Sequence, residues 1–247
     1  MKLLAFFIML CAYFVFIWRW RKNEQSFYPK DRPIVFGHRG SPENITENTI
    51  PSFQKAIKEG VDGLEFDVRL TKDKRTVIFH DSDLNRLAGV DKKIKHLTYE
   101  ELKKINLIKG GNIPLLDDLA PLLKDAGVIN IEIKSDSLFS GYGAVGPVVE
   151  FIENHSLQDR CIVSCFNPFV LIKLKFKRPR IIIGYLYNKN VPLHSWHNVV
   201  WMRRVRPDNL HIHYSLLDSW VVRWAKKQGL KINCYTINDS SIYSKAK

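Results

Sequence analysis

The feature that most constrains this 247-residue chain is a regular alternation of short apolar runs with amphipathic ones. Strand-like runs occupy 34–37, 63–69, 76–80, 128–134, 161–165, 180–186, 210–214 and 230–237. Helix-like patterns fit 49–59, 98–106, 115–125, 145–155, 167–175 and 216–228. In the first of these, Ile50, Phe53, Ala56 and Ile57 share one face, and Gly60 supplies a stop. Apolar strands separated by helices specify a parallel sheet. The number of such units predicts an α/β fold of the TIM-type (β/α)8 class, which commonly fills roughly 200–250 residues as one domain.

One connection breaks the pattern. Only six residues, Leu70 to Arg75, separate the run ending at Arg69 from the run beginning at Thr76. A parallel crossover needs about a dozen residues or more, so 63–69 and 76–80 read as an antiparallel hairpin turning near Asp73-Lys74. Folding the chain about that point sets His80 opposite Asp67.

The formal charge of +13 arises from clusters such as Lys173, Lys175, Lys177, Arg178 and Arg180, and Arg203, Arg204 and Arg206. A solvated surface accounts for them. They also suit an anionic membrane surface, whereas no recognised nucleic-acid motif accompanies them. The four cysteines, Cys11, Cys161, Cys165 and Cys234, form neither a CxxC pair nor a dense framework, so they read as reduced thiols.

Leu3 to Trp18 is uncharged over sixteen residues. As a helix it would span about 24 Å, short of a hydrocarbon core of about 30 Å. Snorkelling by Arg19 and interfacial anchoring by Trp18 and Trp20 would extend it. A cleaved signal peptide needs small residues where Trp18-Arg19-Trp20-Arg21-Lys22 stands. An uncleaved single-pass membrane anchor over 1–22 is therefore expected. Arg19, Arg21, Lys22 and Lys30 outnumber Lys2 and the amino terminus, which places the domain on the cytoplasmic side. Residues 23–32 read as a polar linker and 33–247 as the globular domain.

The chemistry gathers at strand ends. Glu65 and Asp67 stand two apart on a strand and so point to one face. Glu132 adds a third carboxylate on another strand. Neighbouring Leu64, Phe66, Val68, Ile131 and Ile133 mark both strands as internal, which disfavours a solvated acidic face. Crowded carboxylates of this kind suit a hard divalent cation, Ca²⁺ or Mg²⁺. His38 and His80 each follow an apolar run. One such histidine is ordinarily structural, but two beside three carboxylates can divide proton transfer. Arg39 suits bidentate capture of a phosphate oxygen; Lys134 adds charge to the same anion; and Gly37 and Gly40 permit close backbone approach.

These residues carry a resemblance. Gly37-His38-Arg39-Gly40, Glu47-Asn48-Thr49, the segment from Gly63 to Val68 with Thr71-Lys72-Asp73, His80-Asp81, Ile113 to Leu116, Ile131 to Lys134 and Tyr235 to Asn238 look like the glycerophosphodiester phosphodiesterase family. The match covers about 34–240. It implies a metal-dependent TIM-type barrel that hydrolyses glycerophosphodiesters to glycerol phosphate and an alcohol. By the same resemblance His38 and His80 are the acid/base pair, Glu65, Asp67 and Glu132 hold the metal, and Arg39 and Lys134 hold the phosphate.

Three departures stand out. Tyr235 lies where the family usually has Trp, and Cys165-Phe166 where Ser-Phe is common. The family normally continues past the Thr-Ile-Asn segment with another helix and a last strand. The barrel is thus expected to lack its last helix and strand, with a gap between 34–37 and 230–237. Competing readings are hydrolysis of lysophospholipids, a phosphoinositide-cleaving or sphingomyelinase D-type phospholipase, and an inactive membrane-bound binding protein.

Overall fold

A computed structural model describes residues 2–18, 23–29, 31–188 and 201–246. Helix α1 (Lys2–Trp18) precedes strand β1 (Phe36–His38), helix α2 (Ile50–Lys58) and strands β2 (Gly63–Leu70) and β3 (Thr76–Ile78). A small excursion follows, with β4 (Asp83–Leu84), α3 (Asn85–Ala88), β5 (Val90–Lys93) and α4 (Tyr99–Leu102). The alternation resumes with β6 (Val128–Ile133), α5 (Val145–Asn154), β7 (Cys161–Cys165), α6 (Pro168–Lys177) and β8 (Ile182–Tyr187). After them come β9 (Asn209–His213), the helix Trp220–Lys227, β10 (Lys231–Tyr235) and the helix Ser240–Ala246.

The sheet runs β1-β2-β6-β7-β8-β9-β10, every neighbouring pair parallel, with β3 antiparallel on β2. It curls as a TIM-type barrel does. Among the described residues no ladder joins β1 to β10, which leaves the expected gap. A helix, Ser240–Ala246, does follow β10, which corrects the expectation that this helix is missing.

Period-two alternation decides which side chains reach the site. Outward residues Leu64, Phe66, Ile129, Ile131, Cys161, Val163 and Ile183 are buried against Phe53, Ala56, Val148 and Leu171 of the helices. Full burial of a side chain such as Phe53 contributes about 1.5–3 kcal/mol. Inward residues Val128, Ile162 and Ile182 meet Phe27, Tyr28, Ile34 and Phe36 as an apolar floor. One layer up the interior turns polar. His211 Nε2 lies 2.7 Å from Asn233 Nδ2, and the Tyr28 hydroxyl lies 3.0 Å from Asn233 Oδ1.

Several expectations change. No helix among the described residues is long and apolar enough to cross a membrane. At 17 residues, α1 rises only about 26 Å. The single-pass anchor, and the cytoplasmic-facing placement argued from it, are therefore corrected; Arg19 to Lys22 lie outside the described residues. The segment read as a linker is tied down at several points: the Asn23 backbone N–H donates to Asp208 at 2.8 Å, and the Asn209 amide donates to the Tyr28 hydroxyl at 3.2 Å. Residues 115–125 form two 3₁₀ turns, Asp117–Leu119 and Leu122–Lys124, instead of one α-helix. Pro121 stands between them and cannot donate to the helical ladder. Leu116, Leu119 and Leu123 still reach the core.

Candidate active site

The hairpin forms with its register displaced by one. Val68 pairs with Ile78 and Arg69 with Val77, and the Phe79 N–H donates to the Asp67 carbonyl at 2.9 Å. Phe79, not His80, is thus opposite Asp67. The turn accommodates the shift through Lys74, which adopts a φ of 62°. His80 is the next residue along, and its ring still joins the site.

Glu65, Asp67 and Glu132 present one carboxylate oxygen each within 4.8 Å of one another, and all three are buried. Sheet register explains their convergence, because Asp67 pairs with Glu132 across β2 and β6 and His38 pairs with Glu65 across β1 and β2. Lys134 Nζ lies 2.6 Å from Glu132 and 3.3 Å from Asp67. Arg39 Nε lies 3.3 Å from Asp67, and Arg39 Nη1 donates to Glu47 at 2.9 Å. His38 Nε2 lies 3.8 Å from Glu65, with its Nδ1 3.3 Å from the Thr236 hydroxyl. The strand ends therefore bring together all seven residues singled out from the sequence.

Gly40 makes the close approach possible. Its φ is +89°, and a Cβ there would fall 2.6 Å from the Ser52 carbonyl carbon. Arg39 itself has a φ of 59°, a region that non-glycine residues enter rarely.

The electrostatics are those of a cation site. Burial, reinforced by Asp67 and Glu132, pushes Glu65 well above the usual carboxylate range. Burial also raises Glu132. Asp67 goes the other way, because the cations of Lys134 and Arg39 outweigh the effect of its burial. Asp67 Oδ1 is buried and makes no hydrogen bond, but it forms the 3.3 Å ion pair with Lys134 Nζ. Lys134 and Arg39 set two cations against three buried carboxylates, and a buried negative charge is costly unless it is compensated, so the donor set fits a hard divalent ion. Burial, then Arg39, draws His38 down to about 4. Burial, then Lys134, lowers His80 as well. Both imidazoles are consequently neutral at neutral pH.

Sequence reasoning left some participants without a role. Asn48 donates to Asp67 Oδ2 at 2.8 Å from a left-handed conformation, φ 58°. Its place in Glu47-Asn48-Thr49 was the available signal. Asp81 Oδ1 lies 2.6 Å from His80 Nδ1, and its signal was adjacency in the chain. Arg86 gave none.

A cavity of about 1150 Å³ opens over this cluster and continues along the gap between β1 and β10. Phe166, Leu186, Ile232, Tyr235 and Ile237 are among its walls.

Comparison with known proteins agrees with this geometry. The profile of the glycerophosphoryl diester phosphodiesterase family matches residues 38–247. A glycerophosphodiester phosphodiesterase of Caldanaerobacter subterraneus subsp. tengcongensis is 32% identical over 215 residues, covering 84% of this chain and 86% of that protein. A phosphodiesterase from Oleispira antarctica, solved in complex with the product sn-glycerol-3-phosphate, is 31% identical at a TM-score of 0.75, covering 86% of this chain and 88% of that one. The glycerophosphodiester phosphodiesterase of Thermotoga maritima is 34% identical at a TM-score of 0.71, covering 87% and 90%.

Proposed function

The chain belongs to the glycerophosphoryl diester phosphodiesterase family, and from that premise we propose that it hydrolyses glycerophosphodiesters to glycerol phosphate and an alcohol in a divalent-metal-dependent reaction. One observation carries the metal dependence: three buried carboxylates converge within 4.8 Å, set against two ion-paired cations, Lys134 and Arg39. Glu65, Asp67 and Glu132 would hold Ca²⁺ or Mg²⁺. The bound ion would polarise the phosphoryl oxygens and offset charge developing on them.

The chain's own groups do the rest. Arg39 and Lys134, both charged and both beside Asp67, hold the remaining phosphate oxygens. His38 and His80 form the acid/base pair. Both rings start neutral, so one accepts the proton of the attacking water on its unprotonated nitrogen. The imidazolium so formed supplies, through the pair, the proton that the departing alkoxide takes up.

The cavity supports a second substrate class. At about 1150 Å³ it exceeds the range of roughly 300–1,000 Å³ typical of small-molecule sites. Its aliphatic and aromatic walls leave room for a lysophospholipid chain. Purified protein assayed on glycerophosphocholine, with and without chelator, tests the main reading. Release of glycerol phosphate that chelation abolishes supports it, and an undiminished rate in excess chelator overturns it. The same assay on a lysophospholipid decides the second class.

A further inference from the structure

The excursion between β3 and β6 reaches back to the site through Arg86. Arg86 sits on α3, a four-residue helix closed by Gly89 at φ 66°. Its guanidinium makes three contacts. Nε donates to Asp81 Oδ2 at 2.7 Å, Nη2 to Glu47 Oε1 at 2.6 Å and Nη1 to Glu47 Oε2 at 3.1 Å. The other oxygen of Asp81 lies 2.6 Å from His80 Nδ1. Glu47 Oε1 also accepts from Arg39 Nη1 at 2.9 Å. Five side chains of alternating charge and polarity thus join the two ends of the site: His80, Asp81, Arg86, Glu47 and Arg39.

We propose that Asp81 and Arg86 are positioning residues: together they fix the His80 tautomer with its proton on Nδ1, leaving Nε2 to exchange a proton with substrate or water. Through Glu47 the same arginine also sets the angle of Arg39. The argument is one of donors and acceptors. Burial alone would raise the pKa of Asp81, but Arg86 and His80 hold it below the ordinary carboxylate value, so it is an ionised acceptor. Arg86 can only donate, which occupies Oδ2. Oδ1 can therefore meet only a donor, and Nδ1 must carry the hydrogen. The inference rests on the reading of His80 as one of the acid/base pair.

That logic makes a sharp forecast for Asp81→Asn. Arg86 Nε–H still demands an acceptor, so the new amide must turn its oxygen toward Arg86 and its NH₂ toward His80. Nδ1 then becomes the acceptor and the proton moves to Nε2, the atom that needs to be free. We expect kcat on glycerophosphocholine to fall by ~10²-fold or more with KM within about twofold, since a misprotonated base is lost to chemistry while binding survives. In ¹⁵N spectra of the full chain, the His80 Nδ1 resonance should change from the protonated to the unprotonated type. Arg86→Met should lower kcat and raise KM together, because both ends of the chain of contacts loosen. Asp81→Asn should lose less in an Arg86→Met background, where the amide is free to rotate.

His80→Ala separates failure of the premise from failure of the inference. If His80→Ala keeps near-normal kcat, the acid/base reading falls. If His80→Ala is inactive while Asp81→Asn keeps wild-type kcat, or Nδ1 of the native protein proves unprotonated, the positioning role is overturned. Thermal melts of each variant show whether it folds, and the tautomer readout would not move if Asp81 were merely structural.

Discussion

Acidification from pH 7 to pH 5 should destabilise the fold through His211, and the size of the effect follows from burial. His211 is 3% exposed on β9. Gly184 of the neighbouring strand lies so close that a Cβ there would meet Nε2 at 2.5 Å. Asn233 Nδ2 donates to the same nitrogen at 2.7 Å, which leaves no room or acceptor for a second ring proton at that position. Burial holds the folded pKa at about 3 against an ordinary 6.5. The unfolded chain takes up a proton near pH 6.5, and the folded chain does not until near pH 3. Stability from this residue is therefore fully present above pH 6.5 and is lost as pH falls. Between pH 7 and pH 5 the linkage amounts to about 2 kcal/mol. For a chain of this size that corresponds to roughly 4–8 °C in Tm. Calorimetric melts of the native chain and His211→Gln at pH 7, 6 and 5 measure it. Gln keeps hydrogen-bonding capacity without titrating, so its Tm should fall less over this interval by that amount. Parallel Tm curves for the two proteins would refute the reasoning, whatever their offset.

Other outcomes follow from the same geometry. Adding Ca²⁺ or Mg²⁺ to chelator-treated protein should raise Tm. At an ion concentration ~100-fold over Kd the stabilisation is about 2.7 kcal/mol, and Glu65→Gln should abolish the response; melts that ignore millimolar metal would remove the assignment. His38→Ala and His80→Ala should each lower kcat by at least ~10²-fold, and the double variant should lose far less than the product, because the two act as a unit. Steady-state kinetics at saturating substrate check this, and a near-normal rate in either single variant would exclude that histidine. Phe53→Ala should cost about 3–5 kcal/mol in denaturant unfolding, since Phe53 is fully buried and packs edge-on against Phe66 at 5.8 Å; a loss below 1 kcal/mol would mean this face of β2 is not the core.

The barrel was legible because its signal is periodic. Strands β2, β6, β7 and β8 are buried along most of their length and carry an unbroken apolar outer face, and helices α2, α5 and α6 bury single stripes against it. Such patterns survive reading one residue at a time. Residues 115–125 kept their apolar spacing but not their helix, because Leu116, Leu119 and Leu123 satisfy a 3₁₀ spacing nearly as well and Pro121 tips the balance. The short strands β4 and β5 escaped notice since neither carries alternation: β5 reads Val-Asp-Lys-Lys and is held by pairing with β4. Mean hydropathy is high in Leu3 to Trp18, yet spanning a bilayer is a question of length as well as apolarity, and α1 is short for it.

Site residues divide by the same criterion. Glu65, Asp67 and Glu132 were visible because an acid inside an apolar strand has few reasons to be there except a compensating cation. His38 and Arg39 were visible because they stand where a parallel strand ends, the rim on which barrels build their chemistry. Arg86 belongs to neither class. It lies on an irregular excursion, half exposed, and nothing in its neighbourhood along the chain distinguishes it from the other arginines. Its importance comes from meeting Glu47, thirty-nine positions away, and Asp81, five away, at once. An ion-pair chain has no period, since each link is set by where two unrelated loops come to rest. The one-residue shift in the β2–β3 register matters for the same reason. With Phe79 opposite Asp67, ladder pairing alone does not aim His80, and the orientation of its ring falls to the side-chain contact with Asp81. The part of the site that sequence spacing could not supply is thus the part that Asp81, Arg86 and Glu47 hold in place.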